Sequence, residues 1–167
     1  TFAPFDQVPV ASNYLLGPGD KLKISIYGSE QINHEQFIDR SGVISIPKLG
    51  PVSLGGISLA QAESLLQSLV KRDLVGSEVS ISLSKLRNVT IYMLGEAYKP
   101  GSYTISSLST VTNALFASGG VSESGSLRNI QIKRNGKLIE TYDFYKFLLF
   151  GDGISDTRLQ DGDTIYI

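Results

Sequence analysis

One histidine stands in a polar run that could hold a metal ion or supply a general base. His34 lies within SEQINHEQ, with Glu30 and Glu35 close by in sequence. Imidazole and carboxylate groups are common zinc ligands and common proton-transfer groups near neutral pH. The chain has no second histidine and no cysteine, so a ligand set or an orienting partner is lacking. We therefore predict a solvated loop at His34, with no metal, cofactor or catalytic residue.

The stretch Gly17-Pro18-Gly19-Asp20 could be a phosphate-binding loop. Such a loop follows a strand and opens a helix, so that backbone N–H groups face the anion. Here the glycines instead precede KLKISIY, whose apolar residues alternate as in a half-buried strand. Pro18 suits the second position of a type II turn and Gly19 suits the third. The stretch is therefore predicted to be a turn that leads into a strand.

Asp20 and Asp163 could form a carboxylate pair for acid–base chemistry. Both occur in one pattern, L-x-x-G-D-x-[LI]-x-I, which is found near each end of the chain. The repeat favours equivalent turn residues in two different units, where the carboxylate accepts nearby backbone N–H groups. No G-x-S-x-G elbow with histidine and aspartate partners occurs either. An enzyme is thus the weakest functional class.

The amino-acid composition excludes several of the remaining functional classes. The 167 residues include 15 basic and 16 acidic side chains, for a net charge of −1, so no electrostatic footprint for nucleic acid is present. The absence of cysteine excludes a disulfide framework within these residues. Apolar runs such as FLLF are far shorter than the roughly 20 residues of a membrane-spanning helix.

The first half of the chain is predicted to form a small unit of strands and one helix. FIDRSGVISIP indicates two strands joined in a hairpin through DRSG. Ser58 and Gln61 form a capping-box pattern, which predicts a helix from about Leu59 to about Lys71. EVSISLSKL alternates again and predicts the strand that completes this unit.

The second half repeats this organisation. NVTIYML and GSYTI predict strands, Ser109 is predicted to cap a short helix, and Gly119-Gly120 to end it. Asn135-Gly136 predicts a tight hairpin turn, followed by a short helix in DFYKFLL and a last strand in DTIYI. The fold class is therefore α+β, with two small mixed α/β units that join near residue 87.

Several stretches, taken in order, resemble the Wza-type outer-membrane polysaccharide export proteins, and the likeness extends from about Tyr14 to Ile167. They are YLLGPGDKLKISIYG, DRSGVISIPKLGPVSLGGISLAQAESLL, VTIYMLGEAYKPGSYTI, TVTNALFASGGVSESGSLRNIQIKRNG and LQDGDTIYI. The resemblance implies an extended arm at 1–13, a polysaccharide export domain at 14–87 and a soluble-ligand-binding β-grasp (SLBB) domain at 88–167. Most matching positions are turn formers, which report a fold rather than a reaction centre. They are Gly17, Gly19, Asp20, Gly28, Gly42, Pro47, Gly50, Gly95, Pro100, Gly101, Gly119, Gly120, Gly162 and Asp163.

Members of this family are typically lipoproteins that stack into periplasmic rings and pass capsular or exopolysaccharide outward. The resemblance implies translocation without catalysis, a homo-oligomeric ring and an inner-membrane co-polymerase as partner. The lipidated cysteine of the family is missing, so we expect that it was removed or lies upstream of Thr1. A C-terminal segment or a separate outer-membrane barrel protein is expected to complete the path. The alternative is a β-grasp module that binds carbohydrate or another ligand without forming a channel.

The candidates for direct sugar contact include an aromatic and basic pair. Tyr98-Lys99 precedes Pro100-Gly101 and combines an aromatic face with a hydrogen-bonding cation, and Arg128 is a second polar candidate. The favoured interpretation is nevertheless a surface loop whose aromatic residue has no function.

Overall fold

The computed structural model describes residues 10–151 and 157–167, and residues 1–9 of the predicted arm lie outside this part. The chain divides into two units, Thr1–Arg87 and Asn88–Ile167. Each unit contains both helix and strand, so the fold is α+β, as the sequence predicted.

The first strand of the first unit supplies part of the buried core, because its apolar side chains all lie on the same face of the sheet. Leu22, Ile24 and Ile26 are at most 2% exposed. Two partners flank this strand in an antiparallel sheet of order β2-β1-β5, and β3 pairs with β4 in a separate two-stranded sheet. The elements of this unit are β1 (Lys21–Gly28), β2 (Ile32–Phe37), β3 (Val43–Ile46), β4 (Gly50–Ser53), α1 (Leu59–Asp73) and β5 (Ser77–Lys85).

Two predictions for this region are wrong. His34 lies in strand β2, opposite Ile24 of β1, and not in a loop. The strand was missed because it is an edge strand whose side chains are all exposed or half-buried, so no apolar alternation marks it. The predicted hairpin through DRSG is also absent, because β2 pairs with β1 and β3 pairs with β4. The prediction that Ile44 and Ile46 lie on the same side of their strand, β3, is confirmed, since both are buried.

Helix α1 begins where the sequence predicted. The Ser58 hydroxyl accepts a hydrogen bond from the Gln61 backbone N–H (3.2 Å), and Gln61 Oε1 accepts one from the Ser58 N–H (2.9 Å). The predicted capping box is thus confirmed. Ala62, Leu66 and Val70 form the buried stripe of the helix.

Replacing Ser58 by alanine is expected to lower the free energy of unfolding by about 1 kcal/mol, since one N-terminal N–H loses its acceptor. A urea titration followed by circular dichroism measures the change. The control is Ser64→Ala, an exposed position within α1, which should leave stability unchanged or slightly raised. Equal midpoints for the two variants would show that the cap contributes nothing.

The second unit has one five-stranded sheet of order β7-β6-β10-β8-β9. Strand β10 runs parallel to β6, and every other neighbouring pair is antiparallel. Val89, Ile91 and Met93 of β6 join the helices in a single buried core. The elements of this unit are β6 (Asn88–Leu94), β7 (Gly101–Ser106), α2 (Val111–Ala117), β8 (Ile130–Arg134), β9 (Lys137–Tyr142), α3 (Phe144–Phe150) and β10 (Thr164–Tyr166).

Helix α2 begins one residue later than predicted. Its N-cap is Thr110, whose side chain accepts from the Asn113 N–H while Asn113 accepts from the Thr110 N–H. Ser109 is buried, and its carbonyl accepts from Leu159, so the prediction that Ser109 caps the helix is wrong. The end is as predicted, since the N–H of Gly120 donates to Leu115 in the closing turn.

The hairpin turn between β8 and β9 is the one that Asn135-Gly136 predicted. Both residues have positive φ, 51° and 75°, as a type I′ turn requires. Within the described part of the chain, every helix is too short or too polar to cross a membrane.

Candidate functional site

The turn before β1 buries a carboxylate at its end. Asp20 is 0% exposed, and its N–H donates to the Gly17 carbonyl (3.1 Å), which closes the turn. Gly19 has φ of 93°, the left-handed conformation that the third position of a type II turn requires. The Asp20 carboxylate accepts from the Gly17 N–H (3.0 Å) and from the Tyr14 hydroxyl (2.9 Å).

An arginine neutralises this carboxylate. Arg87 Nη1 lies 2.6 Å from Asp20 Oδ2, and the Arg87 backbone N–H donates to Oδ1 at 2.7 Å. A Cβ on Gly17 would lie 3.0 Å from the Arg87 guanidinium carbon, so Gly17 leaves room for the cation. The identity of this partner was not predicted, because Arg87 is 67 positions from Asp20.

The second unit repeats this arrangement before β10. Asp163 is 0% exposed, its carboxylate accepts from the Gln160 N–H (2.8 Å), and its own N–H donates to the Gln160 carbonyl. Arg134 makes a bidentate pair with it, Nε to Oδ1 and Nη2 to Oδ2, both 2.8 Å. The carboxylate raises the pKa of Arg134 above its ordinary value, chiefly by accepting these hydrogen bonds.

The two aspartates have separate partners. Each lies in a different unit and each is paired with an arginine of its own unit. This geometry supports equivalent turn residues rather than an acid–base pair.

Tyr98 and Lys99 lie together on the segment between β6 and β7. The Tyr98 side chain is 60% exposed, and Lys99 Nζ lies 5.8 Å from its ring centroid. The Tyr98 N–H donates to the Gly120 carbonyl (3.0 Å), and a Cβ on Gly119 would lie 2.8 Å from the ring. The ring is thus held in place along one edge, while much of it remains open to solvent.

A carboxylate that the sequence analysis missed lies two residues earlier. Glu96 Oε2 accepts from the hydroxyls of Ser122 (3.0 Å) and Ser124 (2.5 Å). The hydrogen bond from Ser124, and then that from Ser122, lowers the pKa of Glu96 below its ordinary value. The Glu96 carboxylate of this segment is therefore already bonded to two serine hydroxyls of the segment that follows α2.

Arg128 does not join this group by any contact found in the structure. It is exposed, its guanidinium lies 5.2 Å from the ring centroid of Tyr145 in α3, and its N–H donates to the Ser126 hydroxyl. Of the three predicted sugar contacts, the structure brings together Tyr98 and Lys99.

The residues around His34 are engaged with one another or with lysines. His34 Nε2 is 2.8 Å from Gln36 Oε1, Glu30 is paired with Lys48 at 2.6 Å, and Glu35 with Lys21 at 3.4 Å. Over residues 10–151 and 157–167, no three histidine, cysteine or acidic residues are grouped as metal ligands would be.

Comparison with known proteins gives two findings. Residues 8–84 match the family model described as polysaccharide biosynthesis/export protein. Over 159 residues, 93% of this chain, the sequence is 33% identical to two forms of the polysialic acid transport protein KpsD of Escherichia coli. The chain spans 28% of the length of those proteins.

Proposed function

Because residues 8–84 match the family model of polysaccharide biosynthesis/export proteins, we propose that the chain is a subunit of a periplasmic ring that conducts polysaccharide toward the outer membrane. The observation that carries the proposal is the match of residues 8–84 to the export family. The identity to a polysialic acid transport protein continues through the second unit and favours a capsular or exopolysaccharide as cargo.

We assign the two units to different tasks. Residues 14–87 are the polysaccharide export domain, and residues 88–167 are a soluble-ligand-binding β-grasp domain. The second assignment is supported by a mixed five-stranded sheet whose buried core includes residues of α2 and α3. The glycines and prolines shared with the family set turns, as φ of 93° at Gly19 and 85° at Gly162 illustrates.

The proposed role is translocation and not catalysis. The buried carboxylates are paired with arginines, and the relatives are transport proteins. The proposed partners are further copies of the chain, an inner-membrane co-polymerase and the polysaccharide itself. A lipid anchor would hold the ring at the periplasmic face of the outer membrane.

Deleting the gene in its source strain tests the proposal. We expect polysaccharide to disappear from the cell surface and to accumulate inside the envelope, and a plasmid copy of the gene to restore surface polysaccharide. Synthesis itself, measured as total polysaccharide in lysed cells, is the control. Unchanged surface polysaccharide in the deletion strain would contradict the proposal.

The ring and the non-channel module differ in particle mass. Native mass spectrometry of the lipidated protein with its membrane fraction should give a closed oligomer for a ring. A monomer that persists under these conditions and binds sugar would favour the module, in which Tyr98 and Lys99 would be the contact residues.

A further inference from the structure

The sheet of the second unit has one face that its own core does not cover. Ile91, Met93, Ile132 and Ile165 are 0% exposed and point into the core. Residues that alternate with them point to the opposite face. There Tyr92, Leu94 and Tyr166 are 45%, 43% and 46% exposed. We call the side chains of Tyr92, Leu94, Gln131, Lys133, Thr164 and Tyr166 the tyrosine face.

Strand pairing brings these side chains together. Thr164 of β10 lies opposite Tyr92 of β6 on one side and opposite Lys133 of β8 on the other. Tyr166 lies two residues further along, opposite Leu94 and Gln131. Tyr92 and Tyr166 are therefore diagonal neighbours on adjacent strands, with Cα atoms about 8 Å apart from the strand spacing and rise.

The tyrosine face has no negative charge of its own. Glu140 is the one acidic residue in the five strands, and it belongs to the other face, since it lies opposite Ile132 and accepts from the Thr157 hydroxyl. Lys133 supplies a cation, with Nζ 5.4 Å from the ring centroid of Tyr166. The face thus combines two phenol rings, amide and hydroxyl groups and one ammonium group.

The outer face of the sheet in the first unit also carries aromatic side chains, since Tyr27 and Phe37 are 49% and 46% exposed, but carboxylates accompany them. There Lys21 pairs with Glu35 at 3.4 Å, and Tyr27 lies opposite Glu78. Lysines and carboxylates therefore occur together on that face, as expected for a surface in contact with water. The tyrosine face differs in having exposed rings and a lysine with no carboxylate among its side chains, and this combination favours an interaction surface.

We propose that the tyrosine face binds a polysaccharide that carries carboxylate groups. This inference rests on the proposed export function, and it names the binding site and the class of polysaccharide for that function. Sugar rings stack on Tyr92 and Tyr166, because a phenol ring offers a flat apolar surface with a polar edge. Gln131 and Thr164 bind sugar hydroxyls, and Lys133 pairs with a carboxylate. Charge complementarity selects this occupant, since a cation without a neighbouring carboxylate on the face attracts an anion.

The test measures binding of alginate oligosaccharides, a carboxylated probe, to the full chain by amide chemical-shift changes. We expect the changes to concentrate in β6, β8 and β10. The double variant Tyr92→Ala/Tyr166→Ala should bind alginate at least tenfold more weakly. Lys133→Gln should weaken binding at low salt, with the difference disappearing at high salt because the ion pair is screened.

Matched variants separate recognition from folding. Tyr92→Phe/Tyr166→Phe keeps the rings and should keep most of the affinity. Tyr27→Ala removes a tyrosine that is 49% exposed on a strand of the first unit and should change nothing. Dextran, a neutral polymer, should bind the wild type more weakly than alginate does.

Three results would overturn the inference. The first is that alginate causes no chemical-shift changes on this face in the wild type. The second is that the double alanine variant binds alginate with the affinity of the wild type. The third is that the double alanine variant changes only the particle mass, which would make the face an interface between copies. The amount of surface polysaccharide in the deletion strain tests the export function separately from binding at the tyrosine face. If the gene supports export but the face does not bind, this inference fails while the export function stands.

Discussion

Replacing Arg134 by methionine should lower the free energy of unfolding of the second unit by about 3–5 kcal/mol, because it leaves a buried carboxylate without its cation. Asp163 is 0% exposed and accepts two hydrogen bonds from Arg134 and one from the Gln160 N–H. Methionine keeps the volume of the side chain stem and removes both charged hydrogen bonds. Urea unfolding, followed through the amide signals of β10, gives the change for this unit.

Arg87→Met in the first unit is the matched control. Asp20 would keep the Tyr14 hydroxyl and two backbone N–H donors, one of them that of residue 87 itself. We expect a smaller loss, about 1–3 kcal/mol, in the amide signals of β1. If the two variants lose equal stability, the number of remaining donors does not determine the cost of the buried charge.

Replacing Gly28 by alanine should destabilise the first unit by about 2–6 kcal/mol, as the sum of about 1–3 kcal/mol of backbone strain and a similar cost of overpacking. Gly28 ends β1 with φ of 113°, and a Cβ there would lie 2.4 Å from the Gly76 carbonyl oxygen. That oxygen belongs to the backbone, so it cannot turn aside as a flexible side chain would.

Gly50→Ala separates the two costs. Gly50 has φ of 80°, but no atom of the described residues lies within 4 Å of the Cβ position, so only the strain remains. We expect the midpoint of urea unfolding to fall less for Gly50→Ala than for Gly28→Ala. Equal midpoints would mean that the contact between β1 and Gly76 relaxes without cost.

Local signals in the sequence predicted local structure well. The capping box of Ser58 and Gln61 and the turn at Asn135-Gly136 depend on groups within three residues of each other. Their hydrogen bonds and φ values are set by residue type, so distant parts of the chain have little influence on them. Strands with one apolar side, such as β1 and β6, were predicted for the same reason.

Features that depend on distant residues were not predictable. Nothing near Asp20 or Asp163 indicates that Arg87 or Arg134 will neutralise it, because the fold brings those side chains there. Strand β2 has no apolar side, and its hydrogen bonds to β1 define it. The tyrosine face was missed because Tyr92 and Tyr166 are 74 positions apart in the numbering and meet only through the pairing of β6 with β10.

The position of β10 within its sheet determines when the second unit can be completed during synthesis. It is the last strand of that unit to leave the ribosome, yet it lies between β6 and β8. Until it arrives, the β6–β7 hairpin and the β8–β9 hairpin each present an inner edge with unpaired backbone groups. Such edges are templates for pairing with other chains. A chain in which residues 164–166 have not yet joined the sheet therefore exposes two strand edges that other chains can pair with, whereas β1 lies at the centre of the first sheet and is made before both of its partners.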